Sequence, residues 1–222
     1  MKNKRSIIIL FGDPGAGKGT QAEIIADKLG YGRISTGDLI REEMKTSSVL
    51  SKKLVPFYNA GIPAPNQIVN KLVGQKIKSL IKNKVKGIVS DTFPFDNEQA
   101  DFLKKISSEY NLNEPIVFWI DVPDEEIIKR LSTRLICSKC NKIYFEGKLK
   151  ESDKCSKCGG ILKKRSDDSE EVIRKRIKVY QKEELAHRKY YKDYGTWFDI
   201  NGNQSIDDVA KEIWSHLRLI LA

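Results

Sequence analysis

Nowhere in the 222 residues does an apolar run reach the length of a membrane helix, so a membrane is not an expected partner. Also missing is a secretory start. Met1-Lys2-Asn3-Lys4-Arg5 has the charge of a signal peptide, but the apolar run behind it ends at Phe11, with no small-residue cleavage site. A cytoplasmic location is expected. Acidic residues are in deficit, thirty against forty Lys and Arg, for a formal charge of +10. That balance suits nucleic acid, an anionic surface or phosphorylated small molecules without choosing among them. Much of the excess, as at Lys71, Lys76 and Lys82, reads as solvated helix face. Apart from Tyr144 and Phe145, aromatics do not interleave with the basic residues, so nucleic acid is not an expected partner. Internal repeats and low-complexity tracts are absent, and 40% hydrophobic with 32% charged residues is a globular balance.

Against these absences stands one dense stretch. Ile7-Ile8-Ile9-Leu10-Phe11 reads as a strand buried on both faces, and Ala22, Ile25, Ala26 and Leu29 recur at helical spacing. Between them runs Gly12-Asp13-Pro14-Gly15-Ala16-Gly17-Lys18-Gly19-Thr20. A glycine-rich loop between strand and helix turns successive N–H groups toward an anion at the positive end of the helix, and Lys18 adds a full charge for the outer phosphates. The expected ligand is a nucleoside triphosphate, contacted by Gly15, Ala16, Gly17, Lys18, Gly19 and Thr20. The strict phosphate-loop pattern has Ser or Thr directly after the lysine; here Gly19 intervenes.

Further along, Arg33-Ile34-Ser35 predicts a short strand, and Asp38 is placed to cap a helix from Leu39. Helix is expected over 51–60, broken near Pro56, and again through Val69, Val73, Ile77 and Leu80. Gly87-Ile88-Val89-Ser90-Asp91 reads as a third strand ending in a carboxylate. Ligands gather at the carboxyl ends of strands in open α/β sheets, which puts Asp91 near a nucleotide's Mg²⁺; a capping aspartate is the plainer alternative. Residues 115–122 form a fourth strand, Asp124 caps a helix to Arg134, and Trp197-Phe198-Asp199-Ile200 is a fifth strand before a helix capped by Ser205. Alternating strands and helices predict an α/β fold, a five-stranded parallel sheet flanked by helices.

The four cysteines fall in two Cys-x-x-Cys pairs, Cys137/Cys140 and Cys155/Cys158, with fourteen residues between them. Two such knuckles can supply four thiolates at tetrahedral geometry, closing a lobe too small for its own core. Such a zinc would be structural, because four sulfur ligands leave no position for water. A disulfide redox role is the competing reading.

Across nearly its whole length the chain resembles the adenylate kinases of the longer, zinc-lid type. The loop through Gln21 matches that family's phosphate loop, in which Gly-Thr follows the lysine, and Ser35-Thr36-Gly37-Asp38-Leu39-Ile40-Arg41 resembles its acceptor motif. The resemblance implies a P-loop core at 1–34, 66–133 and 169–222, a helical acceptor-binding insertion at 35–65, and a zinc-ribbon lid at 134–168. It implies that Thr36, Arg41 and Gln99 meet AMP, that Arg130, Arg134 and Gln204 meet ATP, and that Arg165 and Arg176 serve the acceptor and the transfer. Lys18, Asp91, Arg134, Arg165 and Arg176 are the implied catalytic set. The implied activity is reversible magnesium-dependent transfer from ATP to AMP by a monomer. Alternatives are a nucleoside monophosphate kinase with altered acceptor preference and a nucleotide-binding zinc-ribbon regulator with vestigial catalysis.

One departure matters. Where the family has Asp-Gly-Phe-Pro-Arg-Thr, this chain reads Asp91-Thr92-Phe93-Pro94-Phe95-Asp96. Phe95 replaces an arginine implied to grip the acceptor phosphate, and Asp96 is expected to bring negative charge close by. A milder departure is Arg134-Leu135, where the family has an arginine pair.

Overall fold

A computed structural model describes residues 4–147, 149–192 and 194–221, so the first three residues of the basic start lie outside the described chain. Five strands build the main sheet: β1 (Arg5–Phe11), β2 (Gly32–Ser35), β3 (Gly87–Asp91), β4 (Leu112–Asp121) and β8 (Thr196–Asn201), in the order β2-β3-β1-β4-β8. All four pairings are parallel. Parallel strands need crossovers, and helices supply them on both faces. Alternation along β1 divides the core accordingly. Ile7, Ile9 and Phe11 join one buried cluster, while Ile8 and Leu10 join the other.

The first cluster packs against α3 (Val49–Ala60), α4 (Asn66–Lys82) and α5 (Asn97–Glu109), through Leu54, Val73, Ile77 and Leu103. Against the second lie α1 (Lys18–Leu29), α6 (Asp124–Ser132), α7 (Glu170–Lys192) and α8 (Ile206–Leu221). Among the described residues, no helix is long and apolar enough to cross a membrane. A second, antiparallel sheet, β6-β5-β7, is made from β5 (Arg134–Cys137), β6 (Ile143–Phe145) and β7 (Leu162–Lys163).

Register aligns the strand ends that matter. Leu10 and Ser35 each face Asp91 across the sheet, so the phosphate loop, Asp91 and the start of α2 (Thr36–Met44) share one carboxyl edge. Gly12 has to be glycine there. Its φ is +131°, and a Cβ would stand 2.3 Å from the carbonyl oxygen of Ile120 on β4.

Several boundaries differ from the sequence expectation. Helix α2 begins at Thr36 directly off β2, with Ser35 as its N-cap residue, so Asp38 sits in the first turn and turns its carboxylate to Arg41 instead of capping. Helix α3 is separate from α2 and runs unbroken through Pro56. Ser48 caps its start, accepting from Ser51 N–H at 2.9 Å, Leu54 is buried, and Gly61 closes its end in the left-handed region. Asp124 is the first residue of α6, preceded by Pro123, and Arg134 lies beyond that helix on β5.

Candidate active site

A cleft of about 700 Å³ opens at this carboxyl edge, between the phosphate loop, the α2–α3 helices and the small sheet. That volume suits drug-sized or nucleotide-sized ligands. Gly15, Gly17, Lys18, Gly19 and Thr20 line it from the loop. Lys18 is buried, and its Nζ donates to the carbonyls of Gly12 at 2.7 Å and Asp13 at 2.8 Å, 5.4 Å from the centre of the Tyr180 ring. Burial pushes its pKa down to about 8, against the pull of Asp13 and Asp91. An arriving anion would restore the stability of this charge. Ala16 is packed in the core and does not line the cleft.

Thr36, Arg41, Asp91 and Gln99 face the same space. The buried Thr36 Oγ1 and Arg41 Nε have no hydrogen-bond partner, which is costly unless a ligand supplies one. Gln99 is held from both sides: its Oε1 accepts from Phe95 N–H at 2.9 Å, and its Nε2 donates to Asn66 at 2.7 Å. Phe95 turns its ring edge to Tyr180, with centroids 5.1 Å apart, and contributes no charge. Asp96 follows Phe95 but turns away from the cleft. Its carboxylate caps α5, accepting from Gln99 N–H at 2.9 Å, and accepts from Asn66 at 2.8 Å, and it is not part of the cleft wall.

On the opposite wall stand Arg130, Arg134, Arg165 and Arg176. Arg134 donates twice to Asp168, at 2.6 and 2.8 Å, with both side chains under 10% exposed. Burial and the neighbouring Arg165 push its pKa down to about 10. Asp167 accepts from Arg165 and Arg176 and also, at 3.2 Å, from Tyr58 on α3. Burial opposes its charge, but the two guanidiniums outweigh that and hold it well below the usual carboxylate range. Three arginines thus share two carboxylates, leaving unbalanced positive charge facing the cleft. Arg130 donates to the Gly202 carbonyl at 3.1 Å. Gln204 lies off the cleft wall, donating to Asn201 and Glu212.

Sequence reasoning missed Arg33, Tyr58 and Tyr180, all of which line the cleft. Asp91, Asp167 and Phe95, which they respectively meet, are each more than fifty residues away, so local spacing does not flag them.

The four cysteine Sγ atoms lie within 4.8 Å of one another. Contacts run crosswise between the knuckles, Cys137 to Cys158 at 3.4 Å and Cys140 to Cys155 at 3.7 Å, far beyond a disulfide bond. Four thiolates around zinc at about 2.3 Å give sulfur edges near 3.8 Å, so this spacing could hold such an ion. The N–H groups of Lys139 and Cys140 point at Cys137 Sγ, and a Cβ on Gly160 would stand 2.6 Å from it.

A parallel sheet, a glycine-rich loop with its lysine, and a cleft with cations on both walls define the class: an α/β phosphotransferase of the P-loop type. The adenylate kinase family model matches residues 10–196. An adenylate kinase of Archaeoglobus fulgidus is 36% identical over 215 residues, covering 96% of this chain and 98% of that protein. Those of Petrotoga mobilis and Thermosipho africanus are each 37% identical, covering 95% of this chain and 97% and 99% of their own lengths. This chain belongs to the adenylate kinase family.

Proposed function

We propose that the chain catalyses reversible, magnesium-dependent transfer of the terminal phosphoryl group of ATP to AMP, giving two ADP. The observation that carries this reading is the single cleft in which the phosphate loop and the unpartnered Thr36 and Arg41 atoms face one another beneath four arginines. The donor triphosphate lies along Gly15–Thr20, with Arg130 and Arg134 beside it. The acceptor lies against α2–α3 at Thr36, Arg41 and Gln99. Residues 35–65 serve as the acceptor-binding unit and 134–168 as the lid, joined to the core segments 1–34, 66–133 and 169–222.

Phosphoryl transfer asks the protein mainly for position and charge, since the acceptor phosphate is already an anion and no general base is needed. Lys18 would leave its two carbonyls for the donor's outer phosphates. Arg165 and Arg176 would exchange Asp167 for the transferred group, whose charge they neutralise. Tyr58 ties α3 to the lid carboxylate, so the walls that exclude water meet across the cleft. Asp91, at the cleft edge, would orient water on the Mg²⁺ that comes with ATP, and that ion would supply charge neutralisation at the phosphates.

Cys137, Cys140, Cys155 and Cys158 would hold a structural zinc that fixes the small sheet. We place the protein in the cytoplasm as a monomer. A second reading, a different monophosphate acceptor, draws on Phe95 and Thr92 in the acceptor wall. Supplying ATP, Mg²⁺ and equal concentrations of AMP, GMP, UMP or dAMP, and following ADP formation, tests both. Fastest turnover with AMP is expected, and turnover with none of them would sink the proposal.

A further inference from the structure

The cleft contains an arginine to which no role has yet fallen. Arg33 sits on β2, opposite Val89 of β3 and two residues before the end of the strand. Its Nε and Nη2 donate to Asp91 Oδ2 at 3.1 and 2.7 Å. The same Nη2 lies 3.5 Å from Asp38, whose other oxygen accepts from Arg41 at 2.6 Å. On its other side is the phosphate loop: a Cβ built on Gly19 would stand 3.2 Å from that Nη2. The guanidinium therefore bridges the mouth of the donor loop and Arg41, the cation of the acceptor wall. It lines the cleft and is 31% exposed, so a ligand can reach it.

We infer that Arg33 is a phosphate-binding residue of the transfer site, supplying from β2 the positive charge that Phe95 does not supply from the β3–α5 loop. This rests on the phosphotransfer reading above. Phe95 spends its ring on Tyr180, and Thr92 and Gln99, its neighbours on the cleft wall, are uncharged. Among the described lining residues, Arg33 and Arg41 are the cations that β2 and α2 contribute. A planar guanidinium offers several donors, so Arg33 can keep one N–H on Asp91 and turn the rest to phosphoryl oxygen. Asp91 is not left bare by that turn, because Arg33 Nε still donates to its Oδ2.

The test is a double-mutant cycle between positions 33 and 95. Steady-state kinetics with ATP and AMP would be read beside calorimetric ATP affinity and thermal unfolding. Arg33→Ala should lower kcat/KM for AMP by about ten- to a hundredfold, the range one charge-assisted hydrogen bond supports, while ATP affinity changes little. Phe95→Arg should restore most of that loss in the Arg33→Ala background, a larger gain than it gives in the natural protein. Arg33→Lys keeps a cation beside Asp91 and preserves the fold, but lacks the fork, and should fall between. Losses under about twofold in both Arg33 variants would overturn the inference, as would a Phe95→Arg gain of equal size in both backgrounds. Natural protein that makes no ADP would overturn the phosphotransfer reading, and this inference with it.

Discussion

Asp168→Asn probes the charge cluster between lid and core most sharply. The substitution leaves the shape of the side chain but removes the anion that Arg134 grips with two hydrogen bonds, in a pair less than 10% exposed on both sides. Breaking a buried pair by removing one partner costs about 3–5 kcal/mol, because the remaining charge stays desolvated. Asp167, shared by Arg165 and Arg176, keeps one anion in the cluster, so the lower end, about 3 kcal/mol, is expected. For a chain of this size that lowers the thermal midpoint by roughly 6–12 °C. Glu170→Gln, which loosens the exposed pair with Arg174, should cost under about 0.5 kcal/mol and serves as control. The sharper expectation concerns ligand. With the donor placed as proposed, saturating ATP would bring polyphosphate oxygens to the cleft side of Arg134, so the Asp168→Asn deficit should shrink by about half or more, beyond the general stabilisation by binding. Circular dichroism melts with and without ATP would read this. An equal deficit in both conditions, or one no larger than the control's, would refute the claim that Arg134 passes from carboxylate to phosphate.

Other expectations are narrower. Asp13 is buried with Oδ1 unpartnered, and burial lifts its pKa to about 6 despite Lys18. A folded pKa above the unfolded value means its penalty is absent below about pH 4, grows as pH rises, and is complete above about pH 6. Asp13→Asn should therefore stabilise the protein at pH 8, by roughly 1–2 kcal/mol once solvent screening is allowed for, and not at pH 4, read from urea unfolding at both. Thr36→Val removes a buried hydroxyl that faces the cleft, and should raise KM for AMP about three- to tenfold with ATP affinity unchanged. Elemental analysis should find one zinc per chain, and chelation should open residues 137–163 to proteolysis while the five-stranded core persists.

Much of this architecture was legible in the sequence because its signals are local. The apolar run of β1, the glycines and Lys18 are contiguous, and each cysteine pair is set by its own spacing. Helix starts were less legible. Asp38 has the chemistry of a cap, but α2 begins at Thr36 because Ser35 already ends a strand in extended backbone, which frees Asp38 for Arg41 and Arg33. Asp96 shows the opposite case: its charge is plain in the sequence, but its part as the cap of α5 is set by where that helix starts. Least legible was Arg33, whose meaning depends on Asp91, 58 residues away on the neighbouring strand and two residues beyond Val89, its partner in register. A lone arginine on a short strand carries no such information in the sequence.

The central claim is that donor and acceptor occupy one cleft with their phosphates end to end. Calorimetric titration of the zinc-loaded protein with a bisubstrate analogue, two adenosines joined through a polyphosphate, tests it most directly. One analogue per chain, excluding both ATP and AMP, is the predicted result. Binding of either nucleotide unaffected by the saturating analogue would contradict it.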